Sequence, residues 1–206
     1  MRRTVRIGDR RLMPAFVAAL LILHGAASAS HRERTLSAPL RDASASALAF
    51  YSPDVASGAQ IAFDHVYDRS GCHGGNASPA LVWAHPPMGT RSFAVLMLDP
   101  DAPGGVWWHW AVFDIPATAR SLQADAGDPA RHLLPPGALQ VDNDFGSLGY
   151  AGPCPPPGPP HHYRLLLYAL RVANLGLDPG ASAAQVAANA QANALAQAEI
   201  VGLYGR

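Results

Sequence analysis

Nineteen prolines and nineteen glycines punctuate the chain, and beyond residue 49 they leave only short apolar runs between them. Runs of that length, bounded by turn formers, predict a mostly β domain. Candidate strands cover residues 60–67, 80–84, 92–98, 109–115 and 163–171. In the last, Tyr163, Leu165, Leu167 and Ala169 share one face and Arg164, Leu166, Tyr168 and Leu170 the other. Both faces are largely apolar, as in a central strand covered on both sides. The long connections 117–141 and 142–160 are the kind that carry function or move. Residues 182–204 differ in kind: they lack proline, are rich in alanine, and place Val186, Asn189, Asn193, Ala196 and Ile200 at helical spacing. That stretch predicts a single C-terminal helix, broken near Asn193.

The first 29 residues read as a leader rather than as part of the fold. Arg2, Arg3, Arg6, Arg10 and Arg11 precede an apolar run over residues 12–23, and Ala27-Ser28-Ala29 offers small residues where a signal peptidase cuts. The pattern is that of a cleaved secretory signal, and the apolar run is short for a membrane anchor, the alternative reading. Arg10-Arg11 by itself is weak support for twin-arginine export. Cleavage after Ala29 would give a periplasmic or secreted product of about 177 residues, enough for one domain with a sizeable core. Residues 30–49, polar and without periodicity, read as a linker ahead of a domain over 50–206.

The mature chain would carry 10 arginines, no lysine and 14 acidic residues, a net charge of −4. A mildly acidic domain without a basic run is a poor binder of nucleic acid or anionic membrane. Any anion must instead be captured by aimed hydrogen bonds. Cys72 and Cys154 are the only cysteines. In an exported protein they read as a disulfide, and otherwise as two free thiols.

Two clusters carry chemistry. Asp99-Pro100-Asp101-Ala102-Pro103, followed by Trp107-Trp108-His109-Trp110, ends the apolar run over residues 93–98. In extended backbone Asp99 and Asp101 point to the same side, where they could share a proton, hold a cation or fix the tautomer of His109. The bland reading is a turn in which aspartate caps backbone N–H groups. The second cluster runs from Gly149 through Gly152, Cys154 and a proline series to His161, His162 and Tyr163. Its glycines let backbone amides approach an anion, although a Pro-rich loop can also be a plain rigid spacer. Metal binding is not favoured, because no close His pair on a helix or Cys/His knuckle is present. No Gly-x-Ser-x-Gly elbow supplies a nucleophile.

Six ordered blocks resemble the phosphatidylethanolamine-binding protein family, whose members include Raf kinase inhibitor proteins, and are most similar to its bacterial and archaeal branch. They are residues 76–83, 99–103, 107–110, 143–146, 152–158 and 161–163. The resemblance implies a large antiparallel sheet packed on a smaller one, few helices with one at the C-terminus, and a small anion pocket at one end of the sheet. On matching positions Asp99, Asp101, Pro103, Trp107, His109, Gly152, His161 and Tyr163 would line it. His109 and the backbone near Gly152 would face a phosphate while the aspartates orient the donors, and those aspartates could also hold the ammonium arm of a zwitterionic headgroup. His162 departs from the family's usual arginine. Asn193 stands where relatives often place histidine, a change that would matter if the helix closed the pocket. In the bacterial branch cysteines at these two positions are common, which supports pairing of Cys72 with Cys154.

Together these readings point to an exported, non-enzymatic protein with no cofactor, whose partner is a phosphate-bearing small molecule or phospholipid headgroup. It would bind no nucleic acid and make no stable membrane insertion. The alternatives are an inhibitor of a protein partner, of protease or kinase type, and a hydrolase using His109 with Asp99 or Asp101.

Overall fold

The computed structural model describes residues 47–206 apart from Pro179. The leader, its cleavage point and residues 30–46 of the linker lie outside the described residues. Leu48, just ahead of the expected start at 50, packs against the core, and the first described strand starts at Ala49.

Eight strands and one helix follow. They are β1 (Ala49–Tyr51), β2 (Leu81–Ala84), β3 (Ser92–Asp99), β4 (Trp107–Pro116), β5 (Ser121–Leu122), β6 (Leu139–Gln140), β7 (His161–Leu170), α1 (Ala183–Ala192) and β8 (Ala194–Tyr204). A small sheet has the order β1-β2-β5, and a large one β6-β4-β3-β7-β8; every pairing within them is antiparallel. The expected pair of antiparallel sheets is therefore present.

β3 is buried at all 8 positions because both faces of the large sheet are covered. Phe93, Val95 and Met97 join Trp83, Leu81, Tyr163, Leu165 and Leu167 in the core on the small-sheet side. Ala94, Leu96 and Leu98 join Leu166, Tyr168, Leu170 and the helix residues Ala183, Val186 and Ala190 on the other. The two-sided apolar pattern of β7 thus has the expected cause. Its odd residues meet one layer and its even residues the other.

Two predictions fail. Residues 60–67 are not a strand: Gln60 makes one parallel bridge to Leu203, and Phe63–His65 forms a 3-10 turn. The tail is helical only to Ala192. Ser182 caps that helix through a reciprocal box with Gln185, and Asn193 ends it. The next 11 residues form β8, registered along β7 from Ala194 to Tyr204. Alanine favours helix only by fractions of a kcal/mol per residue, whereas β7 without β8 would leave a row of backbone donors and acceptors unpaired. The outer edge of β8 is itself partly covered: Gly58 and Ile61 donate to the carbonyls of Val201 and Leu203, and the Ala59 carbonyl accepts the Leu203 N–H.

Candidate functional site

Asp99 ends β3, Trp107 and His109 open β4, and His161 and Tyr163 open β7, so all five sit at the same end of three adjacent strands. The pairing of β3 with β4 shifts there. Met97 faces Trp110 but Leu98 faces Trp108, which leaves His109 as the extra residue of a bulge. Bulges re-aim side chains at sheet ends. This one turns the imidazole toward a cavity of about 280 Å³ lined by Asp99, Ala102, Pro103, Trp107, His109, Phe145, Cys154, Pro155, Pro156, His161 and Tyr163.

The polar groups are held by different partners from those expected. The chain turns immediately after Asp99, so Asp99 and Asp101 do not share a face. Asp99, only 3% exposed, does two jobs: Oδ1 accepts the Asp101 N–H at 2.9 Å and Oδ2 accepts from His161 Nδ1 at 2.7 Å. The turn-capping reading and the histidine-orienting reading are thus both realised in one residue. Asp101 lies outside the cavity lining, where Oδ2 accepts the backbone N–H and Nδ1 of His162, each at 2.8 Å. Those bonds, the backbone one foremost, hold the exposed Asp101 carboxyl below its ordinary value.

Neither aspartate hydrogen-bonds His109. Its Nδ1 is 2.7 Å from the Ala151 carbonyl. A carbonyl can only accept, so Nδ1 carries the proton. The ring is 2% exposed, and burial lowers its pKa, opposed by the Ala151 bond and the charge of Asp99. Burial and then the Asp99 charge push the Tyr163 hydroxyl far up, so it stays a phenol. Tyr163 Oη and Trp107 Nε1 are both buried without a hydrogen-bond partner.

Gly152 is a packing residue and does not offer its amide to the cavity. Its N–H is donated to Asn76 Oδ1 at 2.8 Å, and a Cβ there would lie 2.1 Å from the His65 carbonyl oxygen. Asn193 caps α1 and is absent from the cavity lining. Pro103, Trp107, His109, His161 and Tyr163 do line it, with Asp99.

Phe145 was not singled out from the sequence. It packs edge-on against Trp107 and His109 and at 4.3 Å between centroids against Tyr67. Asn143 positions it, accepting the Phe145 N–H at 2.9 Å and donating to the Gly149 carbonyl. The available signal was the Asn143–Gly146 block. Cys154, Pro155 and Pro156 form the other wall, and Cys154 is disulfide-bonded to Cys72. Arg206 steadies the same wall by donating to the carbonyls of Pro155 and Gly71.

A family model described as phosphatidylethanolamine-binding protein matches residues 51–205. The chain belongs to that family. Escherichia coli YbcL is 46% identical over 164 residues, covering 79% of this chain and 90% of YbcL. LppC of Mycobacterium tuberculosis, named as a lipoprotein, is 37% identical over 198 residues, 96% of this chain and 85% of its own. The crystal structure of Escherichia coli YbcL, titled a new member of the mammalian family, superposes with a TM-score of 0.75 at 45% identity, covering 77% of this chain and 98% of that one. CT736 of Chlamydia trachomatis, titled as a homologue of the phosphatidylethanolamine-binding protein, gives 0.65 at 28% identity over 78% of this chain and 98% of its own. The phosphatidylethanolamine-binding protein fold thus carries the cavity at the end of the large sheet.

Proposed function

We propose that this protein is an exported, non-catalytic binder of a small phosphate-bearing ligand or headgroup, held in the cavity between Asp99, His109, His161 and Tyr163. The observation that carries the reading is the convergence of those four polar side chains on one apolar-walled cavity. Its volume is near the lower end for small-ligand sites. The size suits a headgroup rather than an acyl chain. The unpartnered Tyr163 hydroxyl and Trp107 indole N–H support an oxygen-rich ligand, because buried donors cost free energy until something polar meets them. Family membership supports ligand binding in general; the phosphate is our assignment.

Binding without turnover is the better reading of the lining, which among the described residues includes no serine, threonine or free cysteine. Export is supported by the leader pattern, by the disulfide and by similarity to a protein named as a lipoprotein. No helix among the described residues is long and apolar enough to cross a membrane.

The test is a thermal-shift titration of the mature protein with inorganic phosphate and phosphoethanolamine. A ligand at a hundred times its Kd should stabilise by about 2.7 kcal/mol. His109→Ala should abolish the shift, and a shift that survives it places the ligand elsewhere. Phosphoester turnover by metal-free protein, lost in Asp99→Asn, would favour a hydrolase instead.

A further inference from the structure

We propose that the cavity takes up an oxyanion only together with a proton, which lies between His109 Nε2 and a ligand oxygen. The inference rests on the anion reading above and adds what the site requires of its ligand. With Nδ1 committed to the Ala151 carbonyl at 2.7 Å, the nitrogen left for the cavity is Nε2, which in a neutral imidazole carries a lone pair and no hydrogen. A lone pair facing an anionic oxygen repels it. Binding therefore needs a hydrogen at that contact.

The lining supplies hydrogen-bond donors in Tyr163 and Trp107 but no fixed positive charge. Among the described residues no arginine lines the cavity, and the chain has no lysine. The nearby backbone donors are spent: Gly152 N–H on Asn76, Asp101 N–H on Asp99, and Ala151 N–H on the His109 carbonyl. The titratable groups that face His109 are Asp99 from β3, Asp144 from the loop before Phe145, and His161 and Tyr163 from β7. Asp99 and Asp144 repel an anion and favour a protonated His109. Burial opposes that and favours the neutral ring. An arriving anion reverses that balance, because an imidazolium paired with it is far cheaper to bury than an isolated one.

The hydrogen has two possible sources. A ligand with its own acidic O–H, such as hydrogen phosphate, supplies it directly. A ligand without one, such as sulfate, forces the ring to take a proton from solvent. The two cases separate in calorimetric titrations run in buffers of different ionisation enthalpy between pH 5.5 and 8. Sulfate should bind with net uptake of about one proton where His109 is otherwise neutral, and its affinity should weaken about tenfold per pH unit as the pH rises. Inorganic phosphate should take up much less and vary less with pH.

Sulfate binding with no uptake and flat affinity overturns the proposal, as does phosphate binding with sulfate refused down to pH 5.5. If neither probe binds at any pH, the anion reading itself fails. His109→Gln, which can offer an amide hydrogen instead, should bind sulfate without uptake. An unchanged uptake in that variant overturns the assignment to His109. Histidine NMR of the wild type decides the same point without a variant: on sulfate binding the His109 ring signals should move to their protonated positions, and a move confined to other histidines refutes it.

Discussion

Replacing both Cys72 and Cys154 with alanine removes a covalent tie across 82 residues of sequence. In the chain-entropy model a closed loop of that size lowers denatured-state entropy enough to contribute about 4.5 kcal/mol at 25 °C. Cys72 is buried in a small cluster with Val66, Tyr67 and Ala151, so its lost sulfur adds roughly 1 kcal/mol. Working the other way, the denatured chain is more compact than the model assumes. Native bonds in the same region, Tyr67 N–H to Pro153 and Arg206 to Pro155 and Gly71, persist in the variant. They hold the folded wall together but leave the extra entropy of the denatured chain unopposed. The expected loss is therefore about 4–5 kcal/mol, or roughly 8–20 °C in Tm for a domain of this size. Urea denaturation followed by circular dichroism measures it, and the slope should rise because the uncrosslinked chain exposes more surface. A loss below about 1 kcal/mol with an unchanged slope would refute the reasoning. It would mean that the crosslink does not restrict the denatured ensemble. Because Cys154 also lines the cavity, ligand affinity should fall in the same variant.

Two further outcomes follow from individual contacts. Gly152→Ala should destabilise by at least about 2–3 kcal/mol, since its Cβ would meet the backbone of His65, Val66 and Tyr67 and no flexible side chain can give way; a variant as stable as wild type in urea would show that Gly152 is not a packing residue. Asp114, at a second irregularity of β4, accepts the Leu175 N–H at 2.8 Å through Oδ1 while Oδ2 is buried without a partner, and burial raises its pKa. A raised folded-state pKa gives stability that is full below the ordinary carboxyl value and lost as pH rises through the raised one. Asp114→Asn should therefore match wild type near pH 3.5 and exceed it on the order of 1 kcal/mol at pH 7; urea midpoints that stay parallel over that range would contradict this.

The sequence by itself determined the layers and the neighbourhood of the site. Residues 163–171 are largely apolar on both faces, which in an antiparallel sheet points to a covered, central position. The clusters after Leu98 and before Tyr163 were legible because strand ends deliver their polar residues to one edge of the core. Which polar atom meets which was left to the tertiary structure. Asp99 holds His161 because β7 pairs alongside β3 and starts where β3 ends, while His109 is left to a carbonyl from the loop at Ala151. Gly152 gave the same signal as an anion-cradling glycine and is in fact filled space against Val66. Residues 194–204 show the same limit on a larger scale. Local propensity favours helix there by small increments, and the choice went to a strand because β7 presents a full row of backbone groups that only another strand can satisfy. Periodicity and punctuation act over a few residues and can be read from the chain. Hydrogen-bond partners dozens of residues away are chosen by the fold.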